Sequence, residues 1–399
     1  MIESKIERWM AAHTEDLPLS IVLPSGREFT AQSPPKVRII VRKPAAYGAL
    51  LSRTLASLAE AYVQQDIDLE GSVEDIIAVG TRMTEDTGGG EEKLSLLSRL
   101  LAHTKRRDKK AIEYHYDVGN DFYQLFLDER MVYSCAYFKS EQDSLGQAQL
   151  NKLDHILNKL QLTSGDRFLD IGCGWGALII RAAERGANAV GITLSQNQFD
   201  YAQRLIAEKG FQGRCEVRLQ DYRDVPEAKG FDKIASVGMF EHVGVKNFPV
   251  YFGRVAELLK HGGVTLIHGI TSPSSAKHKV EYSSGDFIER YVFPDGELAH
   301  VTVSMAAMND AGLEVVDAES LRRHYARTLA LWAERFETNA QAARENAGET
   351  RYRIWRVYLA GCAHGFAQNW VNIYQLLAVK AGGPALNPLP MTRHWMYRS

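Results

Sequence analysis

Asp170-Ile171-Gly172-Cys173-Gly174-Trp175-Gly176 is the stretch whose residue types and spacing suggest chemistry most directly. An acid stands just before three glycines at alternate positions, as in a strand that turns sharply into a helix. Glycine lets the backbone come close to a ligand, and the helix start that follows leaves N–H groups without intrahelical partners. A dinucleotide turn has G-x-G-x-x-G with an acid about 20 residues further on. Here the spacing is G-x-G-x-G, and the end of the next strand, Thr193-Leu194-Ser195-Gln196-Asn197-Gln198, carries hydroxyls and amides but no carboxylate. The pattern favours S-adenosylmethionine over a nicotinamide dinucleotide, because a sulfonium cation has no diphosphate to cradle and suits a neighbouring acid. A tight turn without any ligand is the plain alternative.

The elements that must hold this turn are legible on either side of it. Strand signals at 167–171, 189–193, 215–219, 233–237 and 264–268 alternate with helix signals such as 147–160, 195–209 and 247–260. Such alternation predicts an α/β fold, a parallel sheet with helices on both faces. Ligands of open α/β sheets lie beyond the carboxyl ends of the strands. Asp170, Gln198, Asp221, Glu241 and His268 all fall at or just after such ends.

The rest of the 399 residues divides by pattern. Residues 1 to about 85 predict a small α+β unit: a hairpin over 21–29, a strand at 37–41 and helical spacing from Ala45 to Gln64. Asp86-Thr87-Gly88-Gly89-Gly90-Glu91-Glu92 has the composition of a linker. The expected domains are therefore 1–90 and 91–399. Lys105-Arg106-Arg107-Asp108-Lys109-Lys110 is either a site of attraction to anionic lipid or a solvated face. Segment 271–298 and a helical stretch from Leu321 to Phe336 are candidates for a lid. Arg351 to Lys380 predicts a long helix rich in Trp355, Tyr358, Phe366, Trp370 and Tyr374, a stripe expected to be packing rather than a lipid groove.

Composition narrows the class. A formal net charge of −2 with 24% charged residues demands no nucleic-acid partner. Cysteines at 135, 173, 215 and 362 form no C-x-x-C pair and no metal-like grouping with histidine, so free thiols and a reducing compartment are expected, with no metal. No 18-residue apolar run and no apolar leader are present, which predicts a cytoplasmic chain with any membrane contact peripheral.

Several further motifs occur in order: His115-Tyr116-Asp117-Val118-Gly119-Asn120-Asp121-Phe122-Tyr123, Tyr133-Ser134-Cys135-Ala136-Tyr137-Phe138, Met239-Phe240-Glu241-His242-Val243-Gly244 and His324-Tyr325-Ala326-Arg327-Thr328-Leu329. With the glycine turn and Thr193–Gln198, this set resembles the cyclopropane-fatty-acyl-phospholipid synthases over roughly residues 100 to 390. The leading unit resembles the extra domain of the bacterial members that act on phospholipids. The resemblance implies a Rossmann-like methyltransferase sheet, and addition of a methylene from S-adenosylmethionine across a cis double bond. It also implies a membrane phospholipid as substrate, peripheral contact with the inner face of the membrane, and a homodimer.

The carbocation formed in such a reaction needs a dry site and a base. By resemblance that base is a bound bicarbonate held by Cys135, Glu241, His268, the Ile270 backbone and Tyr325, while Cys362 matches a cysteine proposed as a nucleophile. For the cofactor, the expected residues are Tyr133 and Ser134 at the methionine end, Asp170, Gly172, Gly174 and Gly176 at the turn, Thr193 and Gln198 at the ribose, and Asp221 with Tyr222 at the adenine. Lacking an acid after the second strand, the chain must hold the ribose with the neutral Gln198 amide. Taken singly, Cys135, His268, Glu241 and Tyr325 have ordinary structural roles; their joint occurrence in order carries the assignment. Two alternatives stand beside it: a relative making methyl- or methylene-branched acyl chains or methylating a small amine, and a lipid-binding adaptor without turnover.

Overall fold

The computed structural model describes residues 4, 6–8, 10, 14, 16–52, 54–84, 119–226, 230–274, 291, 297–380 and 387–397. The basic cluster at 105–110, the 86–92 linker, His115–Val118 and most of segment 271–298 lie outside the described residues. Two compact units form: residues 1–94, 279–294 and 329–368 make one, and residues 95–278, 295–328 and 369–399 the other. Residues 329–368, which the sequence pattern groups with the catalytic part, cluster with the first unit.

In the first unit Leu19–Val22 (β1), Glu28–Thr30 (β2), Val37–Val41 (β3) and Ile67–Glu70 (β4) form a sheet in the order β2-β1-β3-β4. β1 and β2 are the expected hairpin, turning at Gly26 with φ +83°. Alternate residues Val37, Ile39 and Val41 of β3 are buried, as a period of two requires. Between β3 and β4 the expected single helix is two, Ala46–Ser52 (α1) and Leu55–Val63 (α2). Thr54 makes the break: its hydroxyl accepts the Ser57 N–H at 3.1 Å and starts a new helix. Val73–Thr84 (α3) follows.

The second unit begins with Asn120–Gln124 (α4) and Leu145–Lys159 (α5), then Arg167–Ile171 (β5), Ala177–Glu184 (α6), Asn188–Thr193 (β6), Gln196–Glu208 (α7), Cys215–Leu219 (β7), Phe231–Val237 (β8), Phe248–Leu258 (α8), Leu259–Thr271 (β9), Val301–Asp310 (α9) and Leu313–Ser320 (β10). Arg322–Thr338 (α10) and Ala340–Ala367 (α11), whose residues from 329 on belong to the first unit, precede the last strand, Asn372–Lys380 (β11). The sheet order is β10-β11-β9-β8-β5-β6-β7, with β11 antiparallel to both neighbours and the strands from β9 to β7 parallel. Apolar layers cover both faces. Phe168 packs with Leu153, Ile179 and Ala202 from α5, α6 and α7, while its neighbour Leu169 packs with Phe252, Val255 and Met308 from α8 and α9.

The helix expected from Arg351 to Lys380 is thus corrected: it stops at Ala367, and Asn369 takes φ +62° before the chain continues as β11. β11 lies between two strands, so Ile373, Leu376, Leu377, Ala378 and Val379 are all buried. A strand buried on both faces gives an apolar run without alternation, which periodicity does not separate from a helix. Trp355, Tyr358 and Phe366 of α11 are buried, in line with packing, and Tyr374 belongs to the strand.

Candidate active site

β6 and β7 extend the sheet to one side of β5, and β8 and β9 to the other, so the strand order reverses at β5. The crevice beyond the carboxyl ends at such a reversal is where α/β sheets take ligands. A cavity opens there, lined by Tyr133, Ser134, Asp170, Gly172, Gly174, Thr193, Gln198, Asp221 and Tyr222. Among the ten residues expected at the cofactor, Gly176 alone does not line it. It precedes α6 at φ +91°, and a Cβ there would stand 3.0 Å from that of Ala202, so its role is helix packing. Gly172, at φ +84°, faces the cavity and also admits Met239, whose side chain would meet a Cβ at 2.9 Å.

The polar groups of this cavity are unevenly satisfied. Asp170 is buried, its Oδ1 has no hydrogen-bond partner in the chain, and burial raises its carboxyl to about 7 although Lys152 opposes the rise. Lys152 is also buried; its Nζ donates to Ser134 Oγ at 2.9 Å, and burial lowers it to about 8 against the pull of Asp128, Cys135 and Asp170. The Thr193 hydroxyl donates to Gln198 Oε1 at 2.8 Å, which turns the amide Nε2 of Gln198 away from that contact as a donor. Asp221 lines the cavity, but both its oxygens accept from the Arg223 guanidinium, at 2.8 and 2.7 Å.

Tyr133 packs edge-on against Tyr123 with centroids 5.4 Å apart, and Tyr123 lies 5.0 Å from Trp175. Trp175 Nε1 donates to Asn120 Oδ1 at 2.7 Å. The G-N-D-F-Y segment is thereby fastened to the glycine turn.

A second group gathers at the end of β9. The short helical turn Phe240–His242 presents Glu241, whose Oε1 accepts the Ile270 N–H at 2.7 Å and whose buried Oε2 has no partner in the chain. Burial raises Glu241 to about 7. Its approach depends on Gly269, since a Cβ there would overlap the Phe240 ring and lie 3.0 Å from Glu241 Oε1. One residue back, His268 accepts at Nδ1 from the Gln375 amide, 3.3 Å away. An amide nitrogen only donates, so the neutral ring carries its proton on Nε2, which is buried and unpartnered. Burial, then the charges of Lys152 and Lys159, hold His268 well below its ordinary pKa.

Cys135 is fully buried and sits on the start of α10: Sγ is 3.7 Å from Leu321 O, and the neighbouring Ala136 N–H donates to Thr328 Oγ1 at 3.1 Å. Tyr325, buried one turn after Leu321, lies on the same stretch of helix. Burial pushes the Cys135 thiol far up, so it is no thiolate nucleophile. The structure thus gathers Cys135 with the α10 start that bears Tyr325, and Glu241 with the β9 end that bears His268. None of the four lines the glycine-turn cavity.

Beneath the Y-S-C-A-Y-F segment, Tyr137 stacks between His155 and His324, with centroids 4.2 and 4.8 Å away. His155 Nε2 and Lys159 Nζ meet on Glu319 Oε2 at 2.7 and 2.5 Å. Cys362 belongs to the first unit, half-buried on α11, with a thiol that burial raises to about 12. Sequence reasoning missed Lys152, Met239 and His242, which also line the cavity. Lys152 stands on α5 with no motif around it; Met239 and His242 were in view, in M-F-E-H, without an assigned role. Among the described residues no cluster of His, Cys, Asp or Glu is placed to hold a metal ion, and no helix is long and apolar enough to cross a membrane.

Strand order, the antiparallel β11 and the glycine-turn cavity define the fold of the S-adenosylmethionine-dependent methyltransferases. Residues 103–376 match the family described as mycolic acid cyclopropane synthetase, and residues 10–87 match a domain of unknown function, DUF7884. A probable fatty acid methyltransferase of Pseudomonas putida is 43% identical over 383 residues, 96% of this chain and 97% of its own. Cyclopropane mycolic acid synthase 1 of Mycobacterium tuberculosis is 35% identical over 278 residues, 67% of this chain and 96% of its own. The crystal structure of mycolic acid cyclopropane synthase CmaA1, complexed with SAH and CTAB, superposes with a TM-score of 0.65 at 34% identity, covering 68% of this chain and 98% of that one. The chain belongs to the mycolic acid cyclopropane synthetase family and is an S-adenosylmethionine-dependent methyltransferase.

Proposed function

We propose that this enzyme transfers the S-methyl carbon of S-adenosylmethionine to a cis double bond of a phospholipid acyl chain and closes it to a cyclopropane. The observation that carries the reading is that two buried groups at the end of β9, Glu241 Oε2 and His268 Nε2–H, have no partner in the chain. When bound, the cofactor supplies an electrophilic methyl group to an alkene. Asp170 lies where a cationic ligand would be stabilised, and the Gln198 amide is the donor available to ribose hydroxyls.

Loss of a proton from the transferred carbon needs a base that is itself held in place, and the reading assigns that part to a bicarbonate at the end of β9. His268 Nε2–H donates to an anionic oxygen, and Glu241 Oε2 accepts from a hydroxyl and so orients it. Two members of the implied set fit less well. The Ile270 N–H is taken by Glu241, and the Cys135 thiol lies 3.3 Å from the Ala136 carbonyl. The N-terminal unit is assigned to peripheral contact with the inner face of the membrane, where the acyl chains are.

A second reading is favoured by one observation: a relative matched over 96% of this chain, leading unit included, bears the name of a probable fatty acid methyltransferase. The cation would then lose its proton to give a methylene branch instead of a ring. Both products add one CH2, so mass alone does not separate them. Incubation with S-adenosylmethionine and cis-unsaturated phospholipid vesicles, followed by proton NMR of the lipid, does. Loss of the internal vinyl protons with strongly upfield ring protons is the expected outcome; new terminal methylene signals would replace ring closure by branching.

A further inference from the structure

Resting on the cofactor reading above, we infer that Lys152 holds the carboxylate of the cofactor's amino-acid end, so that this lysine and Asp170 together read a zwitterion. Lys152 and Asp170 line one cavity and are each only 2% exposed, yet no ion pair joins them. The lysine has three N–H donors, and its one hydrogen bond in the chain goes to Ser134 Oγ at 2.9 Å.

Its surroundings offer no better anion. Asp128, the carboxylate that most supports the lysine's charge, makes no ion pair with it and accepts from the Val132 and Arg130 backbone N–H groups at 2.9 and 3.3 Å. Glu319 is engaged by His155 and Lys159. A buried cation without a counter-ion is costly. An anionic group arriving beside Ser134 removes that cost, and a ligand bearing both charges satisfies Asp170 as well. Burial has displaced both groups toward their neutral forms, the direction expected where each partner charge comes with a ligand. The role is selective: it concerns the amino-acid end and leaves the nucleoside to the far side of the cavity.

The test compares two ligands by calorimetry at pH 7, S-adenosylhomocysteine and 5′-methylthioadenosine, which lacks the amino-acid end. Lys152→Met should weaken S-adenosylhomocysteine about tenfold or more, as expected for one charge-assisted hydrogen bond in a dry site, and leave methylthioadenosine unchanged. Lys152→Gln, which keeps a donor for Ser134, should give the same selective loss and serves if the methionine variant does not fold. Equal losses for both ligands, or no loss for either, would overturn the assignment. If the unsubstituted protein binds neither ligand, the cofactor reading itself fails and the assignment falls with it.

Discussion

Glu241 is a carboxyl buried at 8% exposure with one oxygen satisfied by a backbone N–H and the other by nothing in the chain. Glu241→Gln keeps the shape and removes the charge. If the group orients an anionic base, turnover should fall by roughly 100-fold or more while the Kd for S-adenosylhomocysteine stays within a few fold; comparable losses in both would reject the role. The same substitution has a signature in stability. Glu241 titrates near 7 when folded against an ordinary value of 4.5, so between these values the folded chain binds the extra proton. Stability contributed by this group is therefore full below about pH 4.5, falls as pH rises, and is lost above about 7, by at most about 3 kcal/mol. Chemical denaturation between pH 5 and 8 should show a shallower decline in Glu241→Gln than in the unsubstituted enzyme.

At the scale of elements, the turn after β8 is held against β9 by the absence of a side chain at Gly269. Gly269→Ala would drive a Cβ into the Phe240 ring and displace Glu241, at a cost of about 1–3 kcal/mol of stability, measurable by thermal unfolding, together with a lower kcat. An unchanged melting temperature would mean that Phe240 yields freely. Much at this scale was legible in the residues: β5 and β7 occupy the stretches their composition predicts, and the strand-end acids Asp170 and Asp221 line the crevice. What was not legible depends on neighbours. β11 hid as a helix because both its faces are covered, and α1 and α2 were merged because a cap such as Thr54 is a single hydroxyl. Lys152 was invisible because its burial is a property of the fold around α5, and Gly176 because one side of a glycine turn faces a helix instead of a ligand.

For the whole molecule, the first unit is discontinuous, and its later segments satisfy its earlier ones. Arg353 of α11 donates to the carbonyls of Tyr62 and Ile67 at 2.9 and 3.0 Å and pairs with Asp68 at 2.5 Å, and Arg356 reaches the Tyr62 hydroxyl at 3.1 Å. Residues 1–94 made alone would lose these partners together with Val357, which packs on the same apolar cluster. The fragment should show no cooperative unfolding transition by circular dichroism; a sharp transition would mean that its own core suffices. The placement of β11 carries a consequence for the order of assembly. Gln375, which fixes the His268 tautomer, enters between two strands made much earlier. During synthesis from the N-terminus the glycine turn and its crevice can therefore form first, while the corner around His268 stays unfinished until residues 372–380 have left the ribosome. A nascent chain can shape its cofactor crevice before the His268 ring has the neighbour that sets its tautomer.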